Sequence, residues 1–249
     1  MTDPKKYISK ENSLKGKVIL VTGAGTGIGQ AAAIAFAEKG ASIILLGSKL
    51  EHLETTYSAF KDKSLDLPLL HVLDFESATE NDFQSINSVI LEGYGKLDGL
   101  LNNASILGSK KPIEYYSFEQ WEKVFKVNLH SSFLLTKSLF PALKESKQGS
   151  IVFTSSGVGK VGRAYWGAYS VSKFATEGLM QVLADEVENT VKIRVNSIDP
   201  GKVRTKMREE AYPAEDPLSL PEPHEIMNAY LYLMSEESKE VNGQSINAQ

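Results

Sequence analysis

The run Val18-Ile19-Leu20-Val21, followed at once by Thr22-Gly23-Ala24-Gly25-Thr26-Gly27-Ile28-Gly29, decides the fold. The first four residues are continuously apolar and mostly β-branched, which suits a strand covered on both faces. The glycines let the chain turn tightly and bring backbone N–H groups against a pyrophosphate, at the positive end of the helix that follows. The spacing is T-G-x-x-x-G-x-G and not G-x-G-x-x-G, because position 28 is Ile and position 30 is Gln. A glycine-rich turn alone also fits a merely tight strand-to-helix connection. Its place between a buried strand and a helix favours nucleotide binding.

Similar apolar runs recur at Ile43 to Leu46, Leu69 to Leu73, Leu97 to Leu101, Ile151 to Phe153 and Ile193 to Ile198. Between them lie stretches of helical periodicity near 28–39, 50–61, 79–93, 118–146 and 164–188. This alternation predicts right-handed crossovers and an α/β parallel sheet with helices on both faces. No repeat or break in composition divides the chain, so 1–249 reads as a single domain, with 1–16 as an N-terminal arm. One segment differs. Residues 205–224 carry Pro213, Pro217, Pro221 and Pro223 among polar residues. A long irregular segment in a compact domain is usually functional or mobile, and a plain surface loop is equally compatible.

Composition narrows the class. Hydrophobic residues make up 42% and charged residues 23% of 249, enough for a sizeable core and a solvated surface. The net charge of -4 gives no reason to expect nucleic acid or a membrane as partner. There is no cysteine, which excludes disulfides and thiol chemistry. The four histidines, His52, His71, His130 and His224, are scattered without ligand spacing, so no metal site is expected. Met1 to Gly16 lacks the apolar core of a signal peptide, and no apolar run is long enough to span a membrane. A cytoplasmic enzyme is the expectation.

Chemistry is suggested by Tyr169-Ser170-Val171-Ser172-Lys173, set in a helix whose apolar stripe runs through Ala168, Val171, Ala175, Leu179 and Leu183. Tyr169 and Lys173 stand four apart and so share a neighbouring face. A tyrosine with a pKa near ~10 is a poor base at neutral pH. An adjacent ammonium stabilises the phenolate and lowers that pKa, as a general acid/base requires. On its own the pair reads better as an ordinary exposed Tyr and Lys on a helix. Asn128 falls on the stripe Trp121-Val124-Phe125-Asn128-Leu135, which points an amide inward. Burying it unpaired would cost roughly 1–3 kcal/mol.

Together, T-G-x-x-x-G-x-G and Y-x-x-x-K resemble the short-chain dehydrogenase/reductase family. Further matches are Asn102-Asn103-Ala104 after the fourth strand, Ser156 after the fifth and Pro200-Gly201 after the sixth. Phe153-Thr154-Ser155-Ser156, Trp166 to Tyr169, Ser172 to Gly178 and Glu215-Asp216-Pro217 look most like the YciK-like bacterial oxidoreductases.

The resemblance implies a Rossmann-type, doubly wound, three-layered sheet and a nicotinamide-dependent oxidoreductase. In the family the catalytic serine stands thirteen residues before the tyrosine, which selects Ser156 to orient the substrate oxygen. Tyr169 would exchange the proton, Lys173 would lower its pKa and bind the nicotinamide ribose, and Asn128 would help hold a water linked to Lys173. Gly23, Thr26, Gly27, Ile28 and Gly29 would line the pyrophosphate. Asp74 would accept from the adenine amine, with Phe75 beside it. Asn103 and Ala104 would pack near the adenosine ribose. Pro200, Gly201, Val203 and Thr205 would hold the carboxamide. The chain departs from the family at Ser105, where Gly is usual, at Asp199, where Asn is usual, and in the ending Asn247-Ala248-Gln249, which lacks the customary glycines.

An NAD enzyme places an acid at the end of strand two. Here Gly47-Ser48-Lys49 precedes the first acid, Glu51. Ser48 can donate a hydrogen bond and Lys49 carries charge for a 2′-phosphate, so NADP(H) is predicted, with NAD(H) as the alternative. Many relatives carry Arg at the position of Ser48. The remaining alternatives are an NAD-linked alcohol dehydrogenase and a catalytically idle dinucleotide sensor, and retention of Ser156, Tyr169, Lys173 and Asn128 speaks against the latter. Ile106, Leu107, Tyr115, Val158, Tyr165, Trp166, Met207 and Tyr212 suggest a hydrophobic carbonyl or alcohol substrate. Family members usually pair through the helices at 118–146 and 164–188. That implies a homodimer, or a tetramer, with Leu134, Leu139, Phe174 and Met180 as a seam. Separately, 205–224, with its prolines and charges directly after Thr205, is expected to form a substrate lid.

Overall fold

Each apolar run forms a strand, buried on both faces except at the edge strand β3, in a computed structural model that describes residues 3–249. The strands are β1 (Val18–Thr22), β2 (Ser42–Gly47), β3 (Leu69–Val72), β4 (Gly99–Asn102), β5 (Gly149–Thr154), β6 (Ile193–Asp199) and β7 (Ser245–Asn247). They build one parallel sheet in the order β3-β2-β1-β4-β5-β6-β7. The order reverses between β1 and β4, and at such a switch point a crevice opens beyond the carboxyl ends of the strands. Side chains alternate across the sheet. Ile19 and Val21 pack with Phe36 and Tyr230 on one face, while Val18 and Leu20 pack with Phe83 and Leu139 on the other.

The helices are α1 (Gly27–Glu38), α2 (Leu50–Asp62), α3 (Glu80–Tyr94), α4 (Phe118–Phe125), α5 (Ser131–Lys144), α6 (Gly167–Val187), α7 (Lys206–Ala211) and α8 (Met227–Met234). α3 starts on a capping box between Thr79 and Asp82 and stops at Gly95, which takes the left-handed conformation. The stretch 118–146 is not the single α-helix that its periodicity predicts. Lys126–His130 forms a π-turn between α4 and α5, with Asn128 inside it. The sequence reading also lacks α7, α8 and β7.

Residues 205–224 hold more structure than a plain loop. Thr205 caps α7 by accepting from the Arg208 N–H at 3.2 Å, and Asp216 caps a short 3-10 turn at Pro217–Ser219. The Arg204 guanidinium clamps the stem of the segment, reaching Pro217 O at 2.8 Å, Glu222 Oε1 at 2.8 Å and Leu220 O at 3.1 Å.

Two members of the expected seam belong instead to the core. Leu139 and Met180 are fully covered beneath the sheet, and Leu134 is partly buried against the same cluster. Phe174 remains on the outer face of α6 with Val171 and Val182. Among the described residues no helix is long and apolar enough to cross a membrane.

Candidate active site

A cavity of about 280 Å³ opens at the carboxyl ends of β1, β4, β5 and β6. Its wall on the β1 side comes from Gly23, Thr26, Gly27 and Ile28. Gly23 has a φ of +63°, and a Cβ there would lie 3.0 Å from Ala104 Cα, so only glycine lets the turn lie against β4. Gly29 does not reach the cavity. A Cβ on it would collide with Gly23 O and stand 2.7 Å from Asn103 Nδ2, so its lack of a side chain seats α1 against the turn. Thr26 precedes α1 without spending its side chain on a cap, which leaves first-turn N–H donors beside the cavity.

Asn103 and Ala104 form the next section of wall. Both are fixed by Thr22, whose Oγ1 accepts from Asn103 N at 2.8 Å and Ala104 N at 2.9 Å and donates to Leu101 O at 3.2 Å. Asn103 in turn donates to Thr22 O and accepts from Thr154 Oγ1, both at 3.2 Å. Sequence reasoning missed Thr22 as a positioning residue, although it lies inside the quoted motif. Its signal is a hydroxyl at the end of a buried apolar strand.

Ser156, Tyr169 and Lys173 meet on one side of the cavity, as the family resemblance implies, and Pro200, Gly201, Val203 and Thr205 stand on the other. Ser156 caps the turn Gly157–Gly159, and Tyr169 and Lys173 project from successive turns of α6. Lys173 Nζ donates to the Thr154 carbonyl at 2.7 Å and lies 5.6 Å from the Tyr169 ring centre. Burial pulls the lysine down to about 8, opposed by the carboxylates of Glu177 and Asp199.

The phenol behaves differently from the sequence expectation. Burial pushes Tyr169 up to about 12; a hydrogen bond with Ser156 pulls it back, and Asp199 adds to the rise. Burial outweighs the neighbouring Lys173, whose ammonium donates to the Thr154 carbonyl. In this state the tyrosine is a neutral proton donor.

Asn128 stands behind this group, 2% exposed, and spends its amide on Ile106 and Ser172. Ser48 and Lys49 lie exposed at the end of β2, off the cavity. Asp74 is exposed beyond β3, with Oδ1 accepting from Glu76 N at 3.0 Å, and Phe75 is buried against Phe83. Of the expected substrate wall, Leu107, Trp166 and Met207 line the cavity. Tyr115 and Tyr165 point to solvent. Lys206, Arg208 and Ala211 of α7, within the segment expected to cover the site, also line it. Lys110 Nζ bonds to Ala211 O at 2.5 Å and sits over the rings of Trp166 and Tyr212, which joins the loop after β4 to α7.

A doubly wound parallel sheet with a glycine-rich turn facing a Ser–Tyr–Lys group defines a nucleotide-dependent oxidoreductase architecture. The chain belongs to the short chain dehydrogenase family, whose sequence pattern matches residues 17–216. It is 44% identical over 243 residues to the uncharacterized oxidoreductase YciK of Escherichia coli (strain K12), covering 98% of this chain and 96% of that one. A Pseudomonas syringae structure described as a short chain dehydrogenase is 50% identical, with a TM-score of 0.97 and coverage of 98% and 99%. A related structure from Escherichia coli CFT073, complexed with NADPH, is 45% identical, with a TM-score of 0.94 and coverage of 97% and 100%.

Proposed function

We propose that this enzyme uses NADP(H) to interconvert a carbonyl compound and a secondary alcohol, with Tyr169 as acid/base. The observation that carries the reading is the convergence of Ser156, Tyr169 and Lys173 on one cavity whose opposite wall is the glycine turn. The turn fits a dinucleotide. Gly23 leaves no side chain to fill the cradle, and the free N–H groups at the start of α1 suit a pyrophosphate. The NADPH bound by the 45% identical Escherichia coli structure supports the same cofactor here. So do Ser48 and Lys49, with no acid before Glu51.

The cofactor supplies or accepts the hydride. Ser156 Oγ orients the substrate oxygen by hydrogen bonding. Tyr169 Oη, held protonated by burial, gives its proton to that oxygen as charge develops there, so carbonyl reduction is the direction favoured at neutral pH. The Lys173 ammonium holds the ribose and places positive charge near the phenolate left behind. Asn103 and Ala104 flank the adenosine side, with Asp74 and Phe75 beyond it. Pro200, Gly201, Val203 and Thr205 hold the carboxamide end. Leu107, Trp166 and Met207 favour an apolar substrate body. The outer face of α6, with Val171, Phe174 and Val182 exposed, supports a homodimer.

A panel of carbonyl compounds assayed with NADPH and with NADH tests the reading. Turnover faster with NADPH is expected. Equal or faster turnover with NADH overturns the cofactor assignment, and turnover with neither overturns the enzyme assignment.

A further inference from the structure

One turn beyond Lys173 on α6 stands a second buried ionisable group. Glu177 is 7% exposed and Lys173 is 3% exposed. The carboxylate of Glu177 accepts from Ser197 Oγ at 2.8 Å on one oxygen and from Ser245 Oγ at 3.0 Å on the other. The two hydroxyl oxygens lie 2.8 Å apart, so Ser197 and Ser245 sit side by side on the carboxylate. Ser197 lies in β6 and Ser245 in β7, two strands paired at these very residues. Among the described residues neither Glu177 nor Lys173 makes an ion pair within 4 Å.

A carboxylate and an ammonium are each costly to bury alone. Four apart on a helix they are neighbours, and in a medium of low dielectric each offsets the other's desolvation. The hydroxyls of Ser197 and Ser245 fix the position of the carboxylate by hydrogen bonding.

We propose that Glu177 is a positioning residue of this site, whose carboxylate, held by Ser197 and Ser245, keeps Lys173 in its ammonium form. The other groups facing Lys173 are few. Its own helix adds Tyr169, β5 adds the Thr154 carbonyl, and β6 adds Asp199. The turn 157–159 packs against Lys173 without a titratable side chain, and the 118–130 stretch presents the neutral Asn128 through Ser172. Burial drives the lysine toward the neutral amine, with Glu177 and then Asp199 working against it. β7 thereby acquires a part in the chemistry, although it lies behind the cavity.

The proposal rests on Lys173 being part of the site, so the test reads the lysine itself and not turnover. Protein labelled with ¹³C at lysine Cε is titrated by NMR, with Lys173 assigned from Lys173→Arg. In Glu177→Gln, which keeps the shape and removes the charge, Lys173 should titrate about half a pH unit or more below the wild type. Glu177→Asp should leave it near the wild-type value. Ser245→Ala, a mild change at an exposed position, should lower it by less than Glu177→Gln does. If Lys173 titrates at the same pH in Glu177→Gln, Ser245→Ala and wild type, Glu177 is merely a fastener between α6 and the strands, and the proposal is wrong. That result would leave the oxidoreductase reading untouched.

Discussion

Asn128 holds Ile106 by both backbone groups, with Oδ1 accepting from the Ile106 N–H at 2.8 Å and Nδ2 donating to the Ile106 carbonyl at 3.0 Å. The same Nδ2 reaches Ser172 Oγ at 3.1 Å, and Ser172 donates to the Tyr169 carbonyl at 2.8 Å. One amide therefore ties the loop after β4 to the helix that carries Tyr169 and Lys173. The π-turn is what aims it there, by adding a residue between α4 and α5.

Replacing Asn128 by Ala should strand the Ile106 N–H and carbonyl in a buried setting. The expected cost is roughly 1–3 kcal/mol of stability. Urea unfolding checks it, with a lower midpoint and an unchanged slope as the expected result. A midpoint equal to wild type would mean that the bonds to Ile106 contribute nothing net.

Tyr169→Phe keeps the ring in its packing and removes only the proton-bearing oxygen. Turnover should drop by about 10²- to 10⁴-fold, while NADPH affinity, read by fluorescence titration, stays close to wild type. A parallel loss of cofactor binding would make Tyr169 a structural residue.

The pH dependence follows from the two buried groups. Tyr169 is pushed up to about 12, so it remains protonated throughout the working range. Lys173 is pulled down to about 8, so its ammonium form is complete well below that pH and lost above it. Carbonyl reduction should hold through neutral pH and fall above about 8, approaching about tenfold for each further pH unit. A reductive rate that rises across this interval contradicts the assignment.

The segment after Thr205 is expected to move as a unit. Arg204 clamps its stem, and the Arg208–Glu215 pair closes it on itself at 2.6 and 2.7 Å. It lines the cavity with Lys206, Met207, Arg208 and Ala211 and is joined to the loop after β4 by the Lys110 bond. Ordering such a segment costs roughly 1–2 kcal/mol per residue, which ligand contacts would help to offset. Hydrogen exchange of 205–216 should slow when NADPH and a substrate analogue are added together. Equal protection with and without ligands would make the segment a fixed wall.

Assembly should depend on the outer face of α6. Phe174→Asp places a charge among Val171, Phe174 and Val182. Light scattering at micromolar concentration should give a dimer or larger species for the wild type and a smaller species for the variant. A wild-type monomer would exclude this face as a contact.

The strands were legible because a parallel sheet buries both faces and so writes itself as unbroken apolar runs. The Ser156, Tyr169 and Lys173 group was legible through the resemblance to the short-chain dehydrogenase/reductase family, since Tyr169 and Lys173 alone read as ordinary surface residues of a helix. The π-turn was not, since one extra residue barely disturbs a periodic pattern that continues on both sides. α8 reads Met-Asn-Ala-Tyr-Leu-Tyr-Leu-Met and is buried nearly all round, so no polar face reveals its period. β7 is three residues long and half exposed, with nothing in Ser-Ile-Asn to mark it. Glu177 and Thr22 take their meaning from partners on other elements, at Ser197 and Ser245 and at Asn103 and Ala104, which no local pattern can announce.

The strand order also bears on how the chain is made. β1 pairs with β4 across Ile19 and Gly99, and β5 pairs with β6 across Gly149 and Ile193. A ribosome releasing this chain from its N-terminus exposes the glycine turn long before the residues that will face it have been synthesised. Half a cradle, lined by apolar strands still lacking neighbours, must wait until β6 emerges. Non-local pairing of this kind is slow and open to aggregation.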